Sequence, residues 1–180
     1  NDCINIDSNG NARVTLKGVG KTYTITKEEL SDSNYSFGDD DVRAIEIAVE
    51  KYLKQYGDPF DKSDFTLDSG YEKSAYFLLT GKHAFEHIGQ INDRTIDNLM
   101  QKGTLACVSI QAPDNKSGEI KLRSSANDEE LILDTYHSYT VAGADKDNVY
   151  LINPWDTSTP ITLTREEFKK HFNYITLLSV

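Results

Sequence analysis

Two short stretches near the start of the chain alternate apolar and polar residues, which predicts a β-hairpin. The stretches are CINID and ARVTLKG, and Asn9-Gly10 between them supplies the positive-φ backbone that a tight turn needs. A third strand-like stretch, TYTITKEEL, follows and ends in a candidate capping box from Thr26 to Glu29.

Helical periodicity begins next, in DDDVRAIEIAVEKYLKQYG. Acidic residues open this segment, Gly57 ends it, and apolar residues recur at helical spacing at Val42, Ile45, Ala48, Val49, Tyr52 and Leu53. Shorter helices, each stopped by a glycine, are predicted in YEKSAYFLLTGK and NDRTIDNLMQKG. The polar stretch DPFDKSDFTLDSG is the best candidate for a junction between two subdomains.

After Gly103 the pattern becomes that of β-strands. TLACVSIQA predicts a buried strand, and YHSYTVAGA and NVYLINPW, joined by DKDN, predict an antiparallel hairpin. TPITLTREEFKKHF predicts a strand and then a helix capped by Thr164 with Glu167, and YITLLSV predicts a closing strand. The segment PDNKSGEIKLRSSANDEELILDT is interpreted as a polar excursion. Helices followed by an antiparallel sheet indicate an α+β fold.

Charge and length narrow the classes of partner. The 180 residues carry a net charge of −10 with no Lys/Arg cluster, so a phosphate backbone would be repelled and nucleic acid is excluded as a partner. No apolar run approaches the ~18 residues needed to cross a bilayer, so no membrane span is predicted. The location stays open: secreted or on the surface if the protein is bacterial, with the cytoplasm as the alternative.

The cysteines and two of the histidines give little indication of a catalytic or metal site. Cys3 and Cys107 lie in apolar, strand-like runs, where a free buried thiol is the commoner state. His83 and His87 lie four apart in HAFEH, which would share one face if the segment were helical. A third ligand is missing, so no metal site is predicted.

His137 and Asn153 form the strongest candidate pair. The predicted hairpin returns Asn153 to the strand end that carries His137. An asparagine oxygen can accept from one imidazole N–H and orient the ring without adding charge, as in a Cys-His-Asn triad. Pro154 keeps Asn153 extended, and Trp155 would cover the pair from water. The alternative is a hairpin with a polar residue at each end and an ordinary buried tryptophan.

The segments HSYTVAG and VYLINPW resemble the catalytic histidine and asparagine segments of calpain-type cysteine peptidases, a branch of the papain-like fold. MQKGTLACVSI is similar to the strand that precedes the family's histidine, and VRAIEIAVEKYLKQYG to the helix that ends its first subdomain. LDSGYEKSAYFLLTG and CINIDSNGNARVTLKG are similar to neighbouring stretches, so the resemblance runs from Cys3 to the C-terminus.

The resemblance implies a papain-like fold in two parts, with helices followed by an antiparallel sheet or half-barrel. Residues 1–70 would be the end of the first, cysteine-bearing catalytic subdomain, and residues 71–180 the second, histidine-bearing subdomain. The family's nucleophile heads a helix in a Gly-x-Cys-Trp motif that this chain lacks, as it lacks the oxyanion-stabilising glutamine.

The function implied is that of a cysteine endopeptidase acting on protein or peptide substrates. His137 would be the base, Asn153 its orienting partner and Trp155 its shield. The nucleophilic cysteine is expected on an upstream segment or a separate chain, so the chain alone is predicted to be inactive.

Several positions depart from the family pattern. Tyr136 stands where the family often has glycine before its histidine and would narrow the substrate subsites. The family's paired glycines of the substrate groove correspond to Ser69-Gly70, so Gly70 is a candidate substrate contact. Calcium is possible from the family's calcium-regulated members but is assignable to no residue here, and no cofactor is identified.

Two other functions stay open at this point. One is a catalytically inactive calpain-like module that binds or regulates. The other is a different thiol hydrolase or acyl transferase on a related fold, because fold and triad alone do not determine the reaction.

Overall fold

The computed structural model describes residues 3–32, 39–62, 72–101, 103–112 and 118–179. The chain divides into two compact units, Asn1–His83 and Ala84–Val180. Both units combine helices with antiparallel strands, so the α+β class is confirmed. The sheets of the described residues stay open and none closes into a barrel. None of the described helices is long and apolar enough to span a membrane.

The first unit is a three-stranded antiparallel sheet with three helices. Its strands β1 (Ile4–Ile6), β2 (Ala12–Leu16) and β3 (Lys21–Ile25) lie in that order. Helices α1 (Lys27–Leu30), α2 (Asp40–Tyr56) and α3 (Glu72–Thr80) follow. The predicted hairpin, capping box and long helix are therefore confirmed, with Gly10 and Gly57 both at positive φ.

Helix α2 turns a slightly different face to the core than its periodicity predicted. Ala44 and Ile47 are buried, whereas Val42 is 44% exposed because it lies in the first turn, off the packed stripe. The core of this unit consists of Ala12, Val14, Leu16, Ile25, Leu30, Ala44, Ile47, Ala48, Tyr52, Leu53 and Leu78.

The second unit is built on a six-stranded antiparallel sheet. Its elements in chain order are β4 (Phe85–Ile88), α4 (Asp93–Leu99), β5 (Thr104–Ser109), β6 (Glu119–Arg123), β7 (Glu130–Asp134), β8 (Ser138–Ala144), β9 (Asn148–Asn153), β10 (Asp156–Thr164), α5 (Arg165–His171) and β11 (Tyr174–Ser179). The main sheet has the order β10-β9-β8-β5-β11-β4, and β6 and β7 form a separate hairpin.

One face of the main sheet packs against α4, α5 and the β6–β7 hairpin. Strand alternation puts every second residue of β5, β8 and β9 on this face, as at Val108, Tyr139 and Leu151. The buried core consists of Ile91, Ile96, Leu99, Ala106, Val108, Ile110, Leu133, Tyr139, Val149, Leu151, Ile161, Leu163, Phe168, Phe172 and Ile175.

Two predictions about this unit were wrong. The supposed polar excursion contains strands β6 and β7, whose inner residues Ile120, Leu122 and Leu133 pack on the core. HAFEH is not helical, since it contains strand β4, which pairs with β11 through Ile175↔His87. Strand β6 does alternate polar and apolar residues, a strand pattern that the interpretation as an excursion overlooked. Strand β4 exposes its apolar residues Phe85 and Ile88, so no such alternation marks it.

The predicted subdomain boundary at 70/71 lies upstream of the division between the two units. Helix α3 belongs to the first unit because Leu78 is part of that core. The polar stretch predicted as the junction lies partly outside the described residues, from 63 onward. The assignment of the two parts to catalytic subdomains stays a prediction.

Helix α5 is attached to the β6–β7 hairpin through Glu167. Thr164 and Glu167 form the predicted capping box, in which the Thr164 N–H donates to Glu167 Oε2 at 2.9 Å. The other oxygen, Oε1, accepts from the Ser125 N–H at 2.8 Å. Burial raises the pKa of Glu167, but these N–H donors outweigh it and hold the pKa below its ordinary value.

Replacing Glu167 by glutamine should therefore destabilise the fold in a pH-dependent way. A carboxylate whose pKa is lowered by folding contributes stability that is present above its ordinary value of 4.5 and lost as pH falls through the folded pKa. We expect Glu167→Gln to cost about 1 kcal/mol at pH 7 and less at acid pH. Urea unfolding of the unmodified chain and of the variant, at pH 7 and at acid pH, measures the loss of unfolding free energy under each condition. Glu166→Gln is the matched control, because its carboxylate is 86% exposed and bridges only to Lys169; an equal loss there would contradict this role.

Candidate functional site

The pairing of β8 with β9 brings the candidate residues together. The register pairs Thr140 with Ile152 and Val141 with Leu151. Continuing this register by one position past Thr140 places Tyr139 opposite Asn153, the last residue of β9, and His137, two residues before Tyr139, lies on the same face. Because cross-strand neighbours lie about 5 Å apart, the side chains of this strand end can meet.

The sequence Asn153-Pro154-Trp155-Asp156 reverses the chain from β9 to β10. Asn153 and Asp156 pair across the turn, and Asn153 Oδ1 accepts from the Trp155 N–H at 3.0 Å. This Asx-type bond locks the amide with its oxygen toward the turn. Asn153 remains in extended strand, as the following proline predicts.

The same Asn153 oxygen also contacts the histidine. His137 Nε2 lies 2.8 Å from Asn153 Oδ1, which is within hydrogen-bonding distance. Since the Trp155 N–H identifies this atom as an acceptor, Nε2 must be the donor. In the neutral ring the proton is then on Nε2, and Nδ1 carries the free lone pair. Among the described residues, Nδ1 has no hydrogen-bond partner.

Trp155 lies against the imidazole but is not a buried core residue. The His137 and Trp155 ring centroids are 3.9 Å apart with an interplanar angle of 34°. Trp155 is nevertheless 73% exposed, so one indole face covers the histidine and the remainder faces solvent. An ordinary buried tryptophan, the alternative interpretation of this segment, is thereby excluded.

Tyr136, which precedes the histidine, has an unusual backbone. Its φ is 55°, in the left-handed region that strongly favours glycine. Its N–H donates to Ile110 O at 2.9 Å and its hydroxyl donates to Ala112 O at 2.8 Å. These bonds hold the residue in place, with its side chain 45% exposed beside His137. A substrate contact by Tyr136 stays a prediction.

Cys107 lies on the wrong face of the sheet to act with His137. It pairs with Thr140, which points to the opposite face from Tyr139 and His137 because residues alternate along β8. Cys3 is buried and belongs to the other unit. Both are reduced thiols, and Cys107 is half-buried rather than buried as expected.

The remaining candidates lie elsewhere or outside the described residues. Gly70 falls in the undescribed segment 63–71. His83 belongs to the first unit, where it contacts the rings of Phe60 and Phe77. His87 lies on β4 with Nε2 3.2 Å from Gln90 O. The described residues contain no group of three side chains able to hold a metal ion.

Tyr139 is a site residue that the sequence analysis missed. Its ring is 4.9 Å from that of His137 and nearly perpendicular to it, at 87°. Strand alternation could have indicated this neighbour, because residues two apart on a strand share a face.

The Asn153 bond should fix the histidine tautomer. In mildly alkaline buffer, ¹⁵N NMR of His137 should show the form protonated on Nε2. In Asn153→Ala we expect a mixture of the two tautomers, because the acceptor is lost. Asn98→Ala, an exposed residue of α4 that bonds Gln101, is the matched control and should leave His137 unchanged. Protonation on Nδ1 in the unmodified chain would show that the amide orientation is wrong.

The chain was compared with family models, with curated proteins and with solved structures, and none of these comparisons gave a match. No relative therefore assigns a role to any residue. The candidate site stands on the geometry of His137, Asn153 and Trp155 and on the resemblance of their segments.

Proposed function

We propose that the chain supplies the histidine and asparagine of a calpain-like cysteine endopeptidase with a papain-like fold. The nucleophilic thiol would come from a preceding segment or from a separate chain. The observation that carries the proposal is the 2.8 Å contact from His137 Nε2 to Asn153 Oδ1, which leaves Nδ1 with the free lone pair.

This geometry suits a base that must activate a thiol. Nδ1 would accept the thiol proton as sulfur attacks the substrate carbonyl, and would then return that proton to the leaving amine. Water would attack the acyl-enzyme, giving its proton to Nδ1, and the thiol would be released. Throughout this cycle Asn153 would hold the Nε2–H without introducing a competing charge.

Trp155 supports the proposal through the surface that it covers. Its indole lies over one face of the imidazole, with 3.9 Å between centroids. Excluding water from that face strengthens the hydrogen bond to Asn153, because the bond then competes less with solvent. The exposed part of the indole is available for contact with a peptide.

The backbone before the histidine provides independent support. The position that the family often fills with glycine is occupied here by Tyr136 at φ 55°, a conformation natural for glycine. The positive φ at this position gives a physical reason for the family's preference for glycine there. The resemblance alone did not predict this backbone conformation.

A second candidate function is a catalytically inactive module for binding or regulation. It is favoured by Cys107, which lies on the sheet face opposite His137. The two functions predict different sequences for the region of the gene before Asn1. A Gly-x-Cys-Trp motif there supports the peptidase, and a motif with the cysteine replaced supports the inactive module.

The chain by itself should not hydrolyse peptides. Cys107 faces away from His137 and Cys3 is buried, so neither is placed as a nucleophile. We expect no casein hydrolysis and no labelling of the folded chain by an epoxysuccinyl thiol reagent. The control is the urea-unfolded chain, in which iodoacetamide should label both cysteines. Stoichiometric labelling of one thiol together with casein hydrolysis that depends on it would contradict the proposal.

Supplying a Gly-x-Cys-Trp segment, as one chain or as a co-expressed partner, should produce an active enzyme. Substitutions at His137, Asn153 and Trp155 should then lower its rate by different amounts. His137→Ala should abolish turnover, since an acid–base group is worth roughly 10²–10⁴-fold in rate. Asn153→Ala should be milder because the base remains, and Trp155→Ala should also lower the rate. The kcat/KM of each variant on a peptide substrate measures the order.

His87→Ala is the matched control for that series, because His87 lies on β4 in the same unit and bonds only the Gln90 carbonyl among the described residues. It should retain full activity. Full activity of His137→Ala in a folded, reconstituted enzyme would rule out the peptidase assignment.

A further inference from the structure

Five aromatic rings form a continuous series from the surface of the second unit into its core. Trp155 contacts His137, and His137 contacts Tyr139 at 4.9 Å. Tyr139 in turn contacts Phe172 at 5.7 Å and 83°, and Phe172 stacks on Phe168 at 4.9 Å and 15°. The exposure falls from 73% at Trp155 to zero at Tyr139 and Phe168.

Tyr139 is held by burial and by a hydrogen bond to its hydroxyl. Its side chain is fully buried, and its hydroxyl accepts from the Asp134 N–H at 2.7 Å. Asp134 ends β7, so this bond ties the β6–β7 hairpin to β8 beside the turn that leads into His137. Burial raises the pKa of Tyr139, which keeps the hydroxyl neutral and able to maintain this bond.

The histidine needs such a neighbour because one hydrogen bond does not define the plane of its ring. The Asn153 bond holds Nε2, yet the imidazole could still rotate about its Cβ–Cγ bond and break that contact. Trp155 blocks one face of the ring, but it is exposed and on a turn. Tyr139 meets the ring perpendicularly from the core, where dense packing prevents the tyrosine from yielding.

We infer that Tyr139 is a positioning residue for His137, whose ring confines the imidazole to the orientation bonded to Asn153. Phe172 packs against Tyr139 from behind, with 5.7 Å between the ring centroids. The catalytic consequence rests on the proposed peptidase function, whereas the confinement of the ring does not.

The test replaces the tyrosine ring and monitors the imidazole in the chain as it is. In Tyr139→Leu, the His137–Asn153 bond should open more often. We expect hydrogen exchange of His137 Nε2–H with water, measured by ¹⁵N-resolved NMR, to accelerate about two- to tenfold. Tyr139→Phe keeps the ring and loses only the hydroxyl, so its exchange rate should remain near that of the unmodified chain. Tyr139→Met, which fills similar volume without a ring, replaces the leucine variant if that does not fold.

Phe168→Leu is the matched control, since it removes a fully buried ring of the same series that is separated from His137 by the rings of Tyr139 and Phe172. It should lower the Tm without accelerating Nε2–H exchange. Equal acceleration by Phe168→Leu would show that general loosening of the core is responsible and would overturn the inference. An unchanged exchange rate of His137 Nε2–H in folded Tyr139→Leu would also overturn the inference. The same holds if the exchange rate in Tyr139→Phe is as high as in Tyr139→Leu.

The unmodified chain supplies a check that needs no variant. Cross-relaxation between the Tyr139 and His137 ring protons should be observed, and an imidazole that reorients freely on the nanosecond timescale would also overturn the inference. In a reconstituted enzyme, Tyr139→Leu should lower kcat more than it raises KM. Failure to obtain any activity from the unmodified sequence would count against the peptidase proposal alone, because the NMR measurements require no nucleophile.

Discussion

The antiparallel register of β8 and β9 is the constraint on which the candidate site depends. It sets Tyr139 opposite Asn153, with His137 on the same face as Tyr139 and Trp155 in the turn that follows Asn153, so four side chains from two strands and one turn meet at a single strand end. A slip of one residue would send His137 to the opposite face of the sheet, because side chains alternate along a strand. The buried residues Leu151 and Val149 oppose such a slip, since it would expose them.

At that strand end, one amide oxygen serves two donors. Asn153 Oδ1 accepts from the Trp155 N–H and from His137 Nε2–H, so the same turn that ends β9 also determines the imidazole tautomer. The result is an oriented imidazole whose Nδ1 has no hydrogen-bond partner among the described residues. This orientation follows from the turn Asn-Pro-Trp-Asp as much as from the histidine.

The site combines a rigid inner side with an exposed outer side. Tyr139 and Phe172 connect the imidazole to the core, whereas Trp155 and Tyr136 present large exposed rings beside it. The imidazole is therefore packed on its inner side and accessible beside the two exposed rings. Cys107 lies on the other face of the sheet, away from this group of side chains.

The sequence by itself determined what depends on local chemistry: the Asn9-Gly10 hairpin, the capping boxes at Thr26 and Thr164, helix α2, and the pairing of His137 with Asn153 across a short hairpin. These features arise from neighbours in the chain, whose geometry is set by backbone preferences and turn residues. Only the tertiary structure decided that HAFEH holds an edge strand, that β6 and β7 pack on the core, that Trp155 is exposed, and that the Tyr139 ring packs against the imidazole. Those features depend on which faces the other elements cover, and the local pattern does not say which distant residues will cover a face.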